Sequence, residues 1–402
     1  MGVMYDVLIV GAGPAGLSAA RVLRRAGVEK IAVLERTGEP GGLPRYCGHL
    51  GFGMLDFGRM WRGPRYARAL TEAAGVPILT DTTVTGIEPG GIVHVSTERG
   101  LETWQARAVL LATGTRETPR GPRLVSGTRP WGVTTTGAFQ EMVMKGLRPF
   151  RNPVIIGSEL VSFSALMTAR HGQVKPVAMI EENTRITAQR PADVLASMMY
   201  GTPILLNTTL VSILGGDKVD GVEIEQDGER RTLACDGVVF TGQFVPDAIL
   251  ARTSGFALDG GTRGPVIDST FRTLDPQVFA AGNVLRAVEH SGQAALEGRA
   301  AARMILRALE GRLPDPGSAV SVTCWQGVAN VWPQRLHAAP RGRIVLHARM
   351  ETPQRGVLRL SDEQGRTVAS RRVSVLPERR VELAVPAASL SGVSTLRLEV
   401  EK

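Results

Sequence analysis

Cysteine is scarce in this chain. Cys47, Cys235 and Cys324 are its three cysteines, they lie far apart, and no Cys-x-x-Cys pair exists. A local redox disulfide, a zinc knuckle and a Cys-ligated iron–sulfur cluster therefore lack their ligands, and no metal is expected. Long apolar runs are missing too. None approaches the ~20 residues that span a bilayer, so no transmembrane segment is expected. The chain enters a strand at once, leaving no room for a signal peptide, and this makes the cytoplasm the expected location. Lysine is sparse, and the net charge of +9 is carried almost wholly by arginine. The arginines (Arg21, Arg24, Arg25, Arg62, Arg65, Arg68, Arg299, Arg303) are scattered and not interleaved with aromatics. That pattern reads as compositional bias, so no nucleic-acid partner is expected.

The first thirty-odd residues are the most informative. An apolar run, Val7–Val10, leads into Gly11-Ala12-Gly13-Pro14-Ala15-Gly16. A helical pattern follows (Leu17, Ala20, Val22, Leu23), and a second apolar run, Ile31–Leu34, ends at Glu35. Strand, glycine turn, helix, strand and acid in this order form the dinucleotide-binding fingerprint. Gly11 turns the chain out of the strand, Gly13 lets a pyrophosphate approach the backbone, and Gly16 lets the helix pack on the strand. The helix start, Pro14-Ala15, presents N–H groups and a partial positive charge to phosphate. Glu35 can accept hydrogen bonds from ribose hydroxyls, with Arg36 beside it.

The loop Pro40–His49 is too rich in Gly and Pro for a helix or central strand. It is expected to pass over the cofactor, with Gly41, Gly42 and Leu43 in close approach and Arg45 facing a phosphate. Cys47, near His49, is a candidate reactive group. Residues 63 to 75 read as an amphipathic helix. Short alternating strands at Thr83–Ile87, Ile92–Thr97 and Glu102–Ala106 read as a β-meander, followed by a separate buried strand, Ala108–Leu111. Ala112-Thr113-Gly114 is then a small-residue turn at the carboxyl edge of that strand, where open α/β sheets bind ligands.

Gly11–Gly16, Glu35, the Ala112-Thr113-Gly114 turn and the later Val278–Asn283 segment stand in the order found in flavoproteins with two dinucleotide-binding domains. Over roughly residues 1 to 312 the chain resembles the pyridine nucleotide-disulfide oxidoreductase superfamily. That resemblance implies FAD bound by the N-terminal fingerprint, with Val84 contacting adenine through its backbone. It implies that Gly282-Asn283 meets the ribityl and pyrophosphate in place of the superfamily's Gly-Asp. It also implies that the start of the helix Ala294–Leu309, capped by Ser291 or Gly292, points Gln293 and Ala294 N–H groups at the flavin. His290 is a candidate proton donor beside the ring.

After a Pro-rich connector (116 to 131), Pro153–Ser162 opens a second βαβ unit, with a helix at Phe163–His171, a strand at Val177–Ile180 and a further helix at Val194–Met199. The resemblance makes this the NAD(P)H domain, with Gly157, Ser158 and Glu181 as a possible second nucleotide site. Glu159 stands where a glycine would admit phosphate, and its carboxylate is bulky and repels phosphate. NAD(P) binding is thus left open. From Pro314 the pattern changes to short alternating strands (Arg343–Met350, Val357–Ser361, Thr367–Val375, Val381–Val385, Ser394–Val400).

The expected fold is α/β, with two Rossmann-like dinucleotide-binding domains and a small C-terminal β-rich domain. The FAD-binding domain is discontinuous (1–118 and 243–312) and carries the meander, the NAD(P)-binding-like domain is 119–242, and the β-rich domain is 319–402. The Gly41–His49 motif, the absent Cys-x-x-Cys and the Gly282-Asn283 variant resemble the FAD subunits of hydrogen cyanide synthase, opine oxidase and dye-linked proline dehydrogenase complexes. The expected function is an FAD-dependent electron-transfer subunit whose partner oxidises an amine, amino acid, hydroxy acid or glycerol-phosphate type substrate. The expected partner is a second flavoprotein dehydrogenase subunit, or another copy of the chain through the C-terminal domain. A free-standing NAD(P)H-dependent flavin reductase is the alternative, and a flavin-dependent RNA-modifying or nucleotide-binding protein the third reading.

Overall fold

A computed structural model describes residues 4–188 and 201–401; the helix expected at Val194–Met199 lies outside the described residues. The chain forms two compact units. One comprises Met1–Gly42, Ala69–Thr115 and Pro246–Lys402, the other Leu43–Arg68 and Arg116–Val245. The sequence reading kept residues 43–68 within the FAD-binding domain. Instead they group with the second unit, because side chains of this excursion are held there: Tyr46 by Glu141 (3.2 Å), Cys47 by Gln140 (3.5 Å) and His49 by Ser164 (2.5 Å).

The first unit is built on one sheet. Its strands are β1 (Met4–Val10), β2 (Ile31–Leu34), β3 (Ile78–Leu79), β4 (Thr83–Glu88), β5 (Ile92–Thr97), β6 (Gly100–Leu111) and β7 (Val278–Ala280). The order is β3-β2-β1-β6-β5-β4, with β7 also pairing with β6. β1 is parallel to β2 and β6, whereas β4, β5 and β6 form an antiparallel meander. The strands expected at Glu102–Ala106 and Ala108–Leu111 are one continuous strand of 12 residues. Its first half pairs with β5 (Thr97↔Gly100 to Ile92↔Gln105) and its last residues with β7 (Val109↔Val278 to Leu111↔Ala280). Its side chains alternate between exposed and buried in the meander, then are all buried from Ala108 onward. This is the change from a one-sided to a two-sided sheet.

Helix α1 (Pro14–Arg25) starts with proline in its first turn, where the missing N–H costs nothing, and ends on Arg24 and Arg25, which favour the negative end of the helix dipole. It packs along α2 (Ser291–Leu309). The two backbones come so close that a Cβ on Gly298 would lie 2.0 Å from Ala15 O.

The same unit carries the C-terminal strands, a β-sandwich. Its five-stranded sheet runs Arg335–Leu336, Val320–Cys324, Thr395–Glu401, Gln354–Asp362, Thr367–Val375. Its three-stranded sheet runs Val328–Trp332, Arg343–Met350, Val381–Pro386. Leu346, Leu358, Leu360, Leu383, Leu396 and Leu398 fill the space between them. Asp268 fixes the sandwich to the flanking loop. Its Oδ1 accepts from the Thr270 N–H and hydroxyl (2.7 and 2.6 Å), and its Oδ2 accepts from His337 Nε2 (2.8 Å). Burial alone would raise this carboxyl, but the bonds from His337 and Thr270 outweigh it and hold Asp268 below the usual carboxylate range.

The second unit has a parallel five-stranded sheet in the order Val133–Thr135, Gly237–Phe240, Pro153–Ile156, Ala178–Ile180, Ile204–Leu205. Helices Thr136–Met144 and Leu160–His171 pack together against it. An antiparallel sheet of Thr208–Gly215, Val219–Gln226 and Glu229–Ala234 is joined at its edge by Ser126–Gly127 from the Pro-rich connector.

Gly298→Ala should force α1 and α2 apart and cost about 1–3 kcal/mol, as overpacking does. A thermal melt checks this; an unchanged Tm would mean that the helices separate freely.

Candidate functional site

The first unit gathers the fingerprint residues at the carboxyl ends of β1 and β2. Gly11 (φ +108°) lies against the β6 turn, where a Cβ would meet Ala112 O at 2.5 Å. At Gly16 a Cβ would meet Gly11 O at 2.0 Å, so the turn and α1 touch through backbone alone. Gly13 differs, since a Cβ there would meet nothing within 4 Å. It faces open space at the N-terminus of α1, the arrangement that admits a phosphate. Ala15, Ala112 and Ala294 pack together beside it, and Gly282 joins them, its Cβ position 2.8 Å from Ala15 Cβ. Four chain segments thus converge through small residues.

Glu35 is buried at the end of β2. Its Oε2 accepts the Ala12 N–H (3.0 Å), and its Oε1 accepts the Thr37 N–H (3.0 Å) and hydroxyl (2.8 Å). The Thr82 N–H donates to Glu35 O at 2.9 Å, which brings the start of β4, and Val84 two residues on, to this edge. Gly41 folds back over the turn, its N–H donating to Ala12 O at 2.8 Å, and both Gly41 and Gly42 have positive φ (114° and 64°). Arg36 pairs with Asp247 (3.4 Å), whose carbonyl accepts the Thr113 hydroxyl (2.7 Å) and whose N–H donates to Gly114 O (2.9 Å).

The late segment departs from expectation in three places. Asn283 was expected to face a hydroxyl or phosphate. Instead its amide is spent on Glu289: Nδ2 donates to Glu289 O (3.1 Å) and Oδ1 accepts the Glu289 N–H (2.8 Å). The cap of α2 is His290, not Ser291 or Gly292, with Nδ1 accepting the Gly292 N–H at 3.1 Å. His290 therefore acts as a cap. The Ala294 N–H is also committed, to His290 O at 3.0 Å; Gln293 lies in the first turn of the helix. Two residues that no motif marked hold the Gly282 turn. Glu297 accepts the Gly282 N–H (3.2 Å), and Arg286 donates to Gly282 O (3.2 Å) and to Glu297 (2.7 Å). Arg286 is 1% exposed and lies 4.6 Å from the Trp332 ring centroid. The only sequence signal for this pair was a charge on the helical face that carries Ala294 and Ala301.

The second unit repeats backbone bonds of the first and places a buried acid at the same point. Gly157 N–H donates to Ile180 O (2.7 Å) as Gly11 does to Leu34 O (2.8 Å), and Thr208 N–H to Glu181 O (3.0 Å) as Thr82 does to Glu35 O (2.9 Å). Buried Glu181 accepts from Ser158 Oγ through Oε2 and from Asn183 N–H (2.9 Å) and Nδ2 (2.6 Å) through Oε1. The position of Gly13 is taken by Glu159, the N-cap residue of helix Leu160–His171. Its carboxylate lies across the Gly242 turn, where a Cβ on Gly242 would overlap it (Oε1 at 2.2 Å, Cδ at 2.3 Å). Arg123 closes the same corner, donating to Thr241 O (3.0 Å) and Gly242 O (2.9 Å).

The loop residues of this unit take structural roles. Arg45 lies over the Tyr46 ring (4.6 Å to the centroid) and donates to Tyr46 Oη (2.9 Å), so the neighbouring tyrosine orients its guanidinium. Leu43 begins a short 3₁₀ turn, Leu43–Tyr46. His49 Nδ1–H donates to Leu50 O (2.8 Å), leaving Nε2 to accept from Ser164 Oγ (2.5 Å), and burial holds the ring below its ordinary pKa. The Cys47 thiol resists ionisation. Burial first, then the Glu117 carboxylate, pushes it up to about 12. Cys235 and Cys324 are likewise pushed up, by burial foremost, to about 11 and about 12. Among the described residues no group of three or more His, Cys, Asp or Glu side chains is arranged to hold a metal ion, and no helix is long and apolar enough to cross a membrane.

A thiol with a pKa near 12 is about one part in ten thousand ionised at pH 8. Native protein should therefore react with a thiol-specific reagent at pH 8 far more slowly than unfolded protein. Fast labelling of Cys47 in the native chain would restore it as a redox candidate.

Comparison with known proteins agrees with this geometry. The family described as "Pyridine nucleotide-disulphide oxidoreductase" matches residues 5–298. The thioredoxin reductase of Treponema pallidum (strain Nichols) is 31% identical over 301 residues, covering 70% of this chain and 89% of that one. Sarcosine oxidase subunit alpha of Rhizobium meliloti (strain 1021) is 29% identical over 347 residues, covering 78% of this chain but 31% of that much longer subunit. The crystal structure of T. acidophilum thioredoxin reductase superposes with a TM-score of 0.64 at 27% identity, covering 75% of this chain and 97% of that one. With the family matched over residues 5–298, and with open space at Gly13, a buried acid at the end of the second strand and a second, altered copy of the same unit in agreement, this chain belongs to the pyridine nucleotide-disulphide oxidoreductase family and is an FAD-dependent oxidoreductase.

Proposed function

We propose that the chain is the electron-transfer subunit of a multi-subunit dehydrogenase that oxidises an amine, amino acid, hydroxy acid or glycerol-phosphate type substrate. Glu159 carries the reading. It stands at the start of the helix where the second unit would receive a dinucleotide phosphate, and its like charge and bulk would both oppose entry. Likeness to a protein named as a sarcosine oxidase subunit supports it.

FAD would be held by the first unit. Gly11, Gly13, Pro14, Ala15 and Gly16 would take the pyrophosphate at the start of α1, Glu35 and Arg36 the adenosine ribose, and Val84 the adenine. The turns Ala112–Gly114 and Gly282–Asn283, with Gly41 and Gly42, would close around it. The residues present fit the group, since Gly13 opens onto space and Ala15, Ala112, Gly282 and Ala294 line it without bulk. Bound there, FAD supplies a carrier of reducing equivalents. The protein's part is to present the first-turn N–H groups of α2, Gln293 included, whose dipole favours negative charge. With all three thiols held neutral, they add no second redox centre.

The alternative, a free-standing NAD(P)H-dependent flavin reductase, is favoured by the ribose-side arrangement of Glu181, Ser158 and Asn183, which matches that of Glu35.

The purified protein should be yellow, with about one FAD per chain. Gly13→Glu should abolish flavin uptake, since the carboxylate would enter the seat, while the apo-protein melts as wild type does because nothing is crowded. A folded variant with full flavin would overturn the assignment. Anaerobic NADH or NADPH should leave the wild-type flavin oxidised over minutes, and Glu159→Gly should gain nicotinamide binding by fluorescence titration. Rapid bleaching of wild type by either nucleotide would favour the reductase reading.

A further inference from the structure

The C-terminal sandwich holds the loop that joins the Gly282 turn to the start of α2, and Glu289 is its hub. The Glu289 backbone is bracketed from within by Asn283, through both the N–H (2.8 Å) and the carbonyl (3.1 Å). Its carboxylate is bracketed by the sandwich: Oε1 lies 3.1 Å from Arg349 Nη2, and Oε2 3.5 Å from Arg380 Nη1. Arg349 also donates from Nη1 to Ala287 O (2.8 Å) and from Nη2 to Val288 O (3.1 Å), so one guanidinium holds three successive residues. On one side of this grip Arg286 packs over Trp332, a sandwich residue; on the other, His290 caps α2. The Glu289 and Arg349 side chains are 13% and 19% exposed, so these charge-assisted bonds are largely shielded from water and salt.

Residues 285–290 have no helix or strand of their own. Their geometry is set by what grips them, and they fix the spacing between the Gly282 turn and the N-terminus of α2. We propose that Arg349 and Arg380, acting through Glu289, are positioning residues for the flavin, and that this is a function of the C-terminal sandwich. The inference rests on the placement of FAD in the first unit proposed above. It also gives Asn283 a reason. An aspartate there would have no N–H for Glu289 O and would set a carboxylate against that carbonyl, so the amide is fitted to the clamp.

The test measures FAD binding by titrating apo-protein with FAD, together with the visible spectrum and reduction potential of the bound flavin. Arg349→Ala, Glu289→Gln and Asn283→Asp should each raise the FAD Kd by about tenfold or more and shift the potential. Arg349→Lys, which keeps the charge but loses the forked geometry, should recover part of the affinity. Arg359→Ala removes an ion pair inside the sandwich, to Glu399 and Glu401, far from the loop in sequence. It should leave Kd and potential within about twofold of wild type. Apo-protein melts separate loss of fold from loss of positioning. Wild-type affinity and potential in both Arg349→Ala and Glu289→Gln would overturn the proposal, as would an equal effect of Arg359→Ala. Failure of the wild-type chain to take up FAD would instead overturn the flavin reading, and this one with it.

Discussion

Close backbone approach governs the first unit. Gly11 against Ala112 O, Gly16 against Gly11 O, Gly282 against Ala15 and Gly298 against Ala15 O leave no room for a Cβ, and together they draw β1, the β6 turn, α1 and α2 to one point. A Cβ at any of these points would push the segments apart and move the Gly13 turn away from the start of α2. At Gly13 itself the missing side chain relieves no clash, and the space beside it is open.

The two units show how one position can change the use of a fold. Strand, turn, helix, acid and the backbone bonds between them are repeated, from Gly11 N–H and Gly157 N–H to Thr82 N–H and Thr208 N–H. Glu181 is satisfied almost as Glu35 is. Such a framework persists because its bonds are internal and independent of cargo. The residue two positions after the turn glycine is not part of that framework: it is Gly13 in the first unit and Glu159 in the second, and the βαβ unit forms with either. Burial of the thiols acts in the same direction, leaving the chain's chemistry to a bound cofactor.

The C-terminal sandwich is tied in by polar contacts as well as by its core. The Asp268–His337 bond anchors it to one loop, and Arg349 and Arg380 grip another. His347, stacked on Trp332, is pushed down to about 3 by burial and by nearby Arg380 and Arg286, so it stays neutral among the arginines. Ordinary changes of pH therefore leave this corner uncharged at the ring.

What the sequence determined by itself was local: the fingerprint Gly11–Gly16, the acid Glu35, the altered copy at Gly157–Glu159, and the change to strand pattern after Pro314. Each follows from spacing or from one residue's size and charge, which are legible without a fold. The joining of 100–111 into one strand was not legible, because pairing with β5 on its first half and with β1 and β7 on its second makes it continuous. The roles of Cys47, Arg45, His290 and Asn283 were decided by tertiary structure. Each has versatile chemistry, and its neighbours (Glu117 and Gln140, Tyr46, Gly292, Glu289) come from the fold. Glu297 and Arg286 escaped notice for the same reason. A charged residue on a helix face looks solvent-exposed until its partner, 11 positions away in the chain, is seen buried against it.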